Sequence, residues 1–375
     1  MINLSEIKFG HQIYYLHSYD FFRKKVIAAS KENWDSLWLP DHLSGMGGTL
    51  VDDYLSPWSL FGAMAELVKG KSFGTAVTDP HRIHPAVLAQ LCTSINHLTE
   101  GNFILGFGAG EAMNLKAYGI PSSHALSKMR ESINMMKSFW DEGRNVSFKG
   151  QHYNAENAVL LPKPVSKIPI WIGANSPKTL KLTGEIADGW MPVGIDSKSY
   201  KAKKQQIVKA MNEKGRDLDK FSFGVFQFTF INDDTNKINQ RIQGSKFELI
   251  TSPRRIKELG YWKEEYEQLY IDATGYKSEE LNILKIDRDD VLKFDLRKLE
   301  PIVKDIPDDL IRDGTMIGTK EEIIKRIRKY IEAGANHFIF SSTNGASSKN
   351  APFTYWDASR IISEEIIPLF KNSNV

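Results

Sequence analysis

Short apolar runs alternate with amphipathic helical stretches along most of the chain, and this alternation constrains the fold more than any other feature. The runs are IKFGHQIYY, SLWLP, KSFGTAV, NFILGFGAG, IPIWIGAN, ADGWMPVG, FSFGVFQFTFIN and ANHFIFSS. Between them, residues such as Phe21, Phe22, Val26 and Ile27 recur at helical spacing. Several helices open on recognisable caps: Ser56 before Pro57, Ser176 before Pro177, and Thr319 with Glu322 three residues on. A strand followed by a helix, repeated about eight times, calls for a parallel sheet covered by helices. Eight such units favour closure into an α/β (β/α)8 barrel. The runner-up, an open doubly wound sheet, lacks its glycine fingerprint after the first strand.

Two segments break the rhythm. NVSFKGQHYNAENAVLL reads as a small β excursion turning at Gly150. Residues 233–317 are rich in charge and read as a mostly helical insertion, placed over the barrel mouth or used in assembly. No linker or low-complexity tract divides the chain, so residues 1–375 read as one domain, a length that suits a barrel with insertions. Basic residues number 49 and acidic ones 46, too balanced to imply a nucleic-acid or membrane-surface partner. No apolar run is long enough to span a membrane, and the N-terminus lacks a signal-peptide pattern, so the expected location is the cytoplasm. The single cysteine, Cys92, excludes a disulfide or a cysteine-based metal site and reads as a small buried apolar residue. No His-Glu-x-x-His spacing occurs, and no metal is expected.

In a barrel of this kind the chemistry sits at the C-terminal ends of the strands. The polar residues directly after each run are therefore the candidates. Asp41 and His42 follow the second run, and Thr78, Asp79, His81 and Arg82 the third. Gly106, Gly108, Gly110, Glu111 and Asn114 accompany the fourth, and Gly173, Ala174, Asn175 and Ser176 the fifth. Ser341, Ser342, Thr343 and Asn344 close the last. Asp41 suits a turn cap as well as an active-site carboxylate. His42 suits a structural histidine, but beside a carboxylate at a strand end it also suits a proton acceptor near neutral pH. The glycine turns GFGAGE and GANSP, each read as feeding a helix, offer backbone N–H groups to a phosphate or an anionic ring. Glu111 is either a helix-dipole partner or an acid. Arg82 is expected to hold a structural ion pair. Lys198, Lys201, Lys203, Lys204 and Lys209 read as a solvated helix face, the alternative being one lysine for an anionic substrate or cofactor tail.

The motifs WLPDHL (38–43), GTAVTDPHRIHPAVLAQ (74–90), ILGFGAGEAMNLKAYG (104–119), RESINMMKSFW (130–140), PIWIGANSPKTLKLTGEIADGW (169–190) and GTKEEIIKRIRKYIEAGANHFI (318–339) together resemble the bacterial luciferase-like superfamily. Within it the sequence is most similar to the branch that uses the deazaflavin coenzyme F420, which includes phthiodiolone ketoreductase-like members, F420-dependent dehydrogenases and methylenetetrahydromethanopterin reductases. The resemblance implies a (β/α)8 barrel, usually a homodimer, that moves hydride between F420 and a small organic substrate. It implies that His42 is a base toward a substrate hydroxyl, that Asp41 contacts the cofactor or orients His42, and that Glu111 is the acid beside the ring. Ala76 and Val77 match a non-proline cis peptide that backs the ring. Gly108 and Asn114 match cofactor contacts, and Gly173, Ala174 and Asn175 match the loop along the cofactor tail. The dehydrogenases carry a tryptophan shortly after the Asp-His pair, where this chain reads LSGMGG, so glucose 6-phosphate is not implied. Two other readings stay open: an FMN-dependent monooxygenase of the same superfamily, and a cofactor-binding protein without catalysis.

Overall fold

The computed structural model of the protein describes residues 4–13, 18–43, 54–111, 114–281, 286, 288–291, 293–342 and 358–371. Strand β1 (Lys8–Gln12) joins the two ends of the chain. It pairs in parallel with β2 (Ser36–Leu39) on one side and with β11 (His337–Ser342) on the other, Phe9 standing opposite Phe338 and Gly10 opposite Ser36. From β2 the parallel ladder runs through β3 (Ser72–Thr75), β4 (Phe103–Phe107), β7 (Ile170–Ile172) and β8 (Gly189–Trp190) to β9 (Ser222–Ile231). Strand β9 pairs with β11 and closes the circle. These are the eight strands of the expected barrel. Strands β5 (Val146–Lys149) and β6 (Asn154–Ala158) form the antiparallel excursion outside it.

The helices α1 (Tyr19–Lys31), α2 (Pro57–Leu67), α3 (Pro85–Leu98), α4 (Ala125–Glu142), α5 (Pro177–Ile186) and α6 (Ser197–Glu213) pack their apolar faces on the barrel. Two of the expected caps form in full: Ser176 with Thr179, and Thr319 with Glu322, satisfy backbone N–H groups that a helix start leaves unpaired. Ser56 stands at the N-cap of α2 but makes no capping bond. Cys92 is fully buried in α3, and burial pushes its thiol well above the ordinary range, as expected of a packing residue. No helix among the described residues is long and apolar enough to cross a membrane.

Between β9 and the last barrel unit the chain forms α7 (Thr235–Ile250), α8 (Pro253–Glu258), α9 (Tyr266–Thr274), α10 (Arg288–Val291), α11 (Glu300–Asp305) and α12 (Asp308–Gly314). They have their own apolar core, which includes Ile242, Tyr266, Tyr270, Leu299 and Ile302. The chain re-enters through β10 (Met316–Gly318) and α13 (Lys320–Glu332). Strand β10 was not expected from the sequence. It is three residues long and, among the described residues, pairs only with the far end of β9, at Thr229–Ile231, beyond the register in which β9 meets β8. A strand so short has no alternation to read.

The barrel interior is filled by Trp38, Trp171, Met191, Phe226 and Ile339. Trp38 lies over both neighbouring strands: a Cβ on Gly10 or Gly74 would fall within 2.5 Å of its indole. Its Nε1–H donates to Ser36 Oγ at 2.8 Å, and Ser36 Oγ lies 2.9 Å from His337 Nε2. His337 and His11 are buried, and burial pushes both imidazoles down to about 3. Their folded values therefore lie below the unfolded value near 6.5, and their contribution is fully present above pH 6.5. It is lost as pH falls from 6.5 toward 3, at a cost of roughly 1–2 kcal/mol per histidine by about pH 5. Urea midpoints should fall over this window, and His337→Gln should reduce the slope; an unchanged slope contradicts the account.

Candidate active site

Arg82, in the loop after β3, organises the mouth of the barrel. Its side chain is 8% exposed, between two carboxylates that are each 5% exposed. Nε donates to Asp79 Oδ2 at 2.5 Å, Nη1 to Asp41 Oδ1 at 3.1 Å and Nη2 to the Asp41 carbonyl at 2.7 Å. Nη2 also stands 2.9 Å from Asp41 Oδ2, off the hydrogen-bond line, so that Oδ2 is buried without such a bond. Burial opposes the guanidinium's charge, but Asp41 and Asp79 outweigh it and hold the group above its ordinary value. The sequence-based expectation of an ion pair at Arg82 is met, and its partners are now known.

This arrangement bears on one of the two roles expected of Asp41, that of orienting His42. Among the described residues no hydrogen bond joins Asp41 to His42, because Arg82 takes the carboxylate. His42 instead turns its ring toward Glu111, with Nε2 3.8 Å from Glu111 Oε2, and stacks on Tyr54 at 5.8 Å between centroids. Burial holds the imidazole below its ordinary value of 6.5; Glu111 opposes this, Arg82 reinforces it, and Asp41 and Asp79 oppose it. Nδ1 is buried and has no hydrogen-bond partner among the described residues, so Nε2 is the nitrogen on the open side. Asn114 ties the two groups together: its Oδ1 accepts from Leu43 N at 2.7 Å and its Nδ2 donates to Glu111 Oε2 at 3.4 Å. Tyr54 lies 12 residues beyond His42, and no sequence signal pointed to it.

Behind this polar wall is an apolar floor. The Ala76–Val77 peptide is cis, as the resemblance implied, and both residues pack on the Trp38–Trp171 interior. A Cβ on Gly108 would fall 2.6 Å from Val77 Cγ2. One on Gly173 would make only ordinary van der Waals contact, 3.7 Å from the Met191 carbonyl oxygen and from Val77 Cγ1. Near the floor, Thr78 Oγ1 and Ser341 Oγ are buried without hydrogen-bond partners among the described residues. A flat heteroaromatic group with an apolar face and polar edges fits this set, because unmet buried polar groups are costly. The cradle after β7 has the expected form, with Ala174 buried and Asn175 just before the capped start of α5. The turn after β4 does not: it leads to a 3-10 turn at Lys116–Tyr118, and α4 begins only at Ala125, so no helix N-terminus stands directly behind Glu111. Two lysines of the supposedly solvated α6 face are anchored: Lys203 donates to Asn175 O at 2.6 Å and Lys204 to Gly334 O at 3.0 Å. Thr343 and Asn344 lie outside the described residues, as does the stretch 44–53.

A separate cavity of about 720 Å³ opens at the other end of the barrel, lined by Lys8, Lys71, Lys167, Trp171 and His337 among others. Lys8 and His337 begin their strands there, which marks the face of a barrel that serves stability rather than chemistry. No group of three or more metal-ligating side chains occurs among the described residues.

Arg82→Met should cost about 3–5 kcal/mol of stability, because two buried carboxylates would lose their cation. Urea denaturation measures this, and a loss under about 1 kcal/mol would show that the triad is solvated rather than buried.

The sequence matches the luciferase-like monooxygenase family over residues 7–337. It is 26% identical over 366 residues to 5,10-methylenetetrahydromethanopterin reductase of Archaeoglobus fulgidus, covering 97% of this chain and all of that one. It is 31% identical over 173 residues to F420-dependent glucose-6-phosphate dehydrogenase of Nakamurella multipartita, which is 44% of this chain and 50% of that one. The fold is similar to that of coenzyme F420-dependent tetrahydromethanopterin reductase from Methanopyrus kandleri, with a TM-score of 0.74 at 20% identity over 97% of this chain and 99% of that one.

Proposed function

The chain belongs to the luciferase-like monooxygenase family, and from that premise we propose that it is an oxidoreductase that uses coenzyme F420 to exchange hydride with a small organic substrate. The observation that carries the reading is the juxtaposition of His42, Glu111 and the Ala76–Val77 floor at one mouth of the barrel. Relatives whose names specify F420 or a pterin reductase support it.

When bound, the deazaflavin supplies the hydride-accepting or hydride-donating carbon. Ala76 and Val77 would back its ring, Gly108 lets Val77 pack closely beneath it, and the Thr78 and Ser341 hydroxyls would meet its polar edge. Ala174 and Asn175 run along its tail, with Lys203 holding the Asn175 carbonyl in place. The 3.8 Å between His42 Nε2 and Glu111 Oε2 lets one substrate hydroxyl lie within hydrogen-bond reach of both. Burial keeps His42 neutral and able to accept that proton at Nε2. The imidazolium so formed is stabilised by Glu111, Asp41 and Asp79, while burial, reinforced by Arg82, keeps the charge from being permanent. Asp41 thus acts through Arg82 and the strand end, not by holding the His42 ring. The apolar floor and the half-buried mouth exclude water, which strengthens each of these interactions.

Fluorescence titration of the purified protein should show F420 binding, and tight binding of FMN with no affinity for F420 would replace this reading with a flavin monooxygenase. Under the same reading His42→Ala keeps F420 affinity within a few fold and lowers kcat by ~10²–10⁴. Turnover equal to wild type would remove His42 from proton transfer.

A further inference from the structure

The turn that carries Glu111 is fastened by His81. The His81 ring places Nε2 3.1 Å from the Ala109 carbonyl, which can only accept, so Nε2 carries the hydrogen. Nδ1 then keeps a lone pair, and the Lys128 ammonium of α4 stands 3.5 Å from it. The ring packs against Gly110, where a Cβ would fall 2.9 Å from His81 Cδ2 and where φ is +85°, a conformation suited to glycine. The backbone is fixed as well: His81 N donates to Asp79 Oδ1 at 2.8 Å, on the same carboxylate that holds Arg82. One loop therefore grips both sides of the mouth. Arg82 holds the Asp41–His42 strand end, and His81 holds the Ala109–Glu111 turn.

We propose that His81 is a positioning residue that sets the distance from Glu111 to His42, and through it the basicity of His42. This rests on the reading of His42 as the proton acceptor, but the geometry concerned belongs to the protein without cofactor. His42 faces Glu111 from the turn after β4, Arg82 and Asp79 from the loop after β3, and its neighbour Asp41. Glu111 is the foremost of these in opposing burial, and its side chain is 34% exposed. Once released from His81, the turn lets Glu111 move toward solvent, and His42 becomes a weaker base. His81 itself faces Asp79, Lys128 and the Ala109 and Pro121 carbonyls. Burial holds it below its ordinary value; Asp79 opposes this and Lys128 reinforces it. A proton on Nδ1 would stand against an ammonium.

The test is imidazole NMR of cofactor-free protein labelled at histidine, with the His42 signal assigned by its loss in His42→Gln. His81→Ala and His81→Phe, which lack the donor, should lower the His42 midpoint by about 0.3–1 pH unit. His81→Gln, which keeps a donor near Nε2, should restore it, and Glu111→Gln should show the full shift available. Lys128→Met should raise the His81 midpoint and leave that of His42 in place. An unchanged or raised His42 midpoint in folded His81→Ala or His81→Phe overturns the proposal. So does a His81 midpoint indifferent to Lys128→Met, a variant that keeps the clamp and serves if the others fail to fold. In turnover, His81→Ala should lower kcat about tenfold with KM within about twofold. Absence of any F420 turnover in the wild type would count against the cofactor reading alone and leave the NMR result standing.

Discussion

The mouth of this barrel depends on one buried cation. Arg82 reaches from the loop after β3 to the strand end after β2, and its three nitrogens engage Asp79, the Asp41 carboxylate and the Asp41 carbonyl. A buried guanidinium needs such partners, since its desolvation is repaid only by close, well-directed bonds. Two things follow. The end of β2 cannot move independently of the loop after β3, so His42 has a defined place. And Asp41, the nearest carboxylate in sequence to His42, is occupied, which leaves Glu111 as the carboxylate that faces the imidazole. A histidine paired tightly with Asp41 would carry a proton at neutral pH; one buried beside Arg82 does not.

The apolar side of the site rests on the barrel's own packing. Trp38 and Trp171 fill the interior, 5.3 Å apart between rings, and Ala76 and Val77 lie on top of them. The floor is thus set by strands, while the groups that do the proton work come from the loops that follow them. Asn114 and the loop from Asp79 to Arg82 both hold those groups. A scaffold that fixes position and loops that carry chemistry is the usual division in barrels of this class.

Much of this was legible in the sequence. The eight strands follow from apolar runs bounded by helix caps, because period and capping are local signals. The strand-end rule brought Asp41, His42, Arg82, Glu111 and Asn114 into view, and the resemblance added the cis peptide at Ala76–Val77. What escaped was set by tertiary contact. That Asp41 belongs to Arg82 and not to its neighbour His42 depends on a loop 41 residues away. The bonds from the Asn114 amide to Leu43 N and Glu111 Oε2 also depend on tertiary contact. Tyr54 meets His42 only through folding, and His81 looked like one more polar loop residue until its ring was seen against Gly110. The helix read over SHALSKMRESINMMKSFW is present as Ala125–Glu142, but the turn GFGAGE does not feed it directly, because a glycine-rich turn reads the same whether a helix follows at once or later.

The central claim is that a deazaflavin ring lies on the Ala76–Val77 floor with His42 and Glu111 at its substrate side. A crystal structure of the protein soaked with F420 tests this most directly. The account predicts the ring in van der Waals contact with Ala76 and Val77, between Gly108 and Gly173, with His42 Nε2 facing the open side of the reacting carbon. A ring bound elsewhere on the chain, or seated at this floor with His42 turned away from it, would contradict the account.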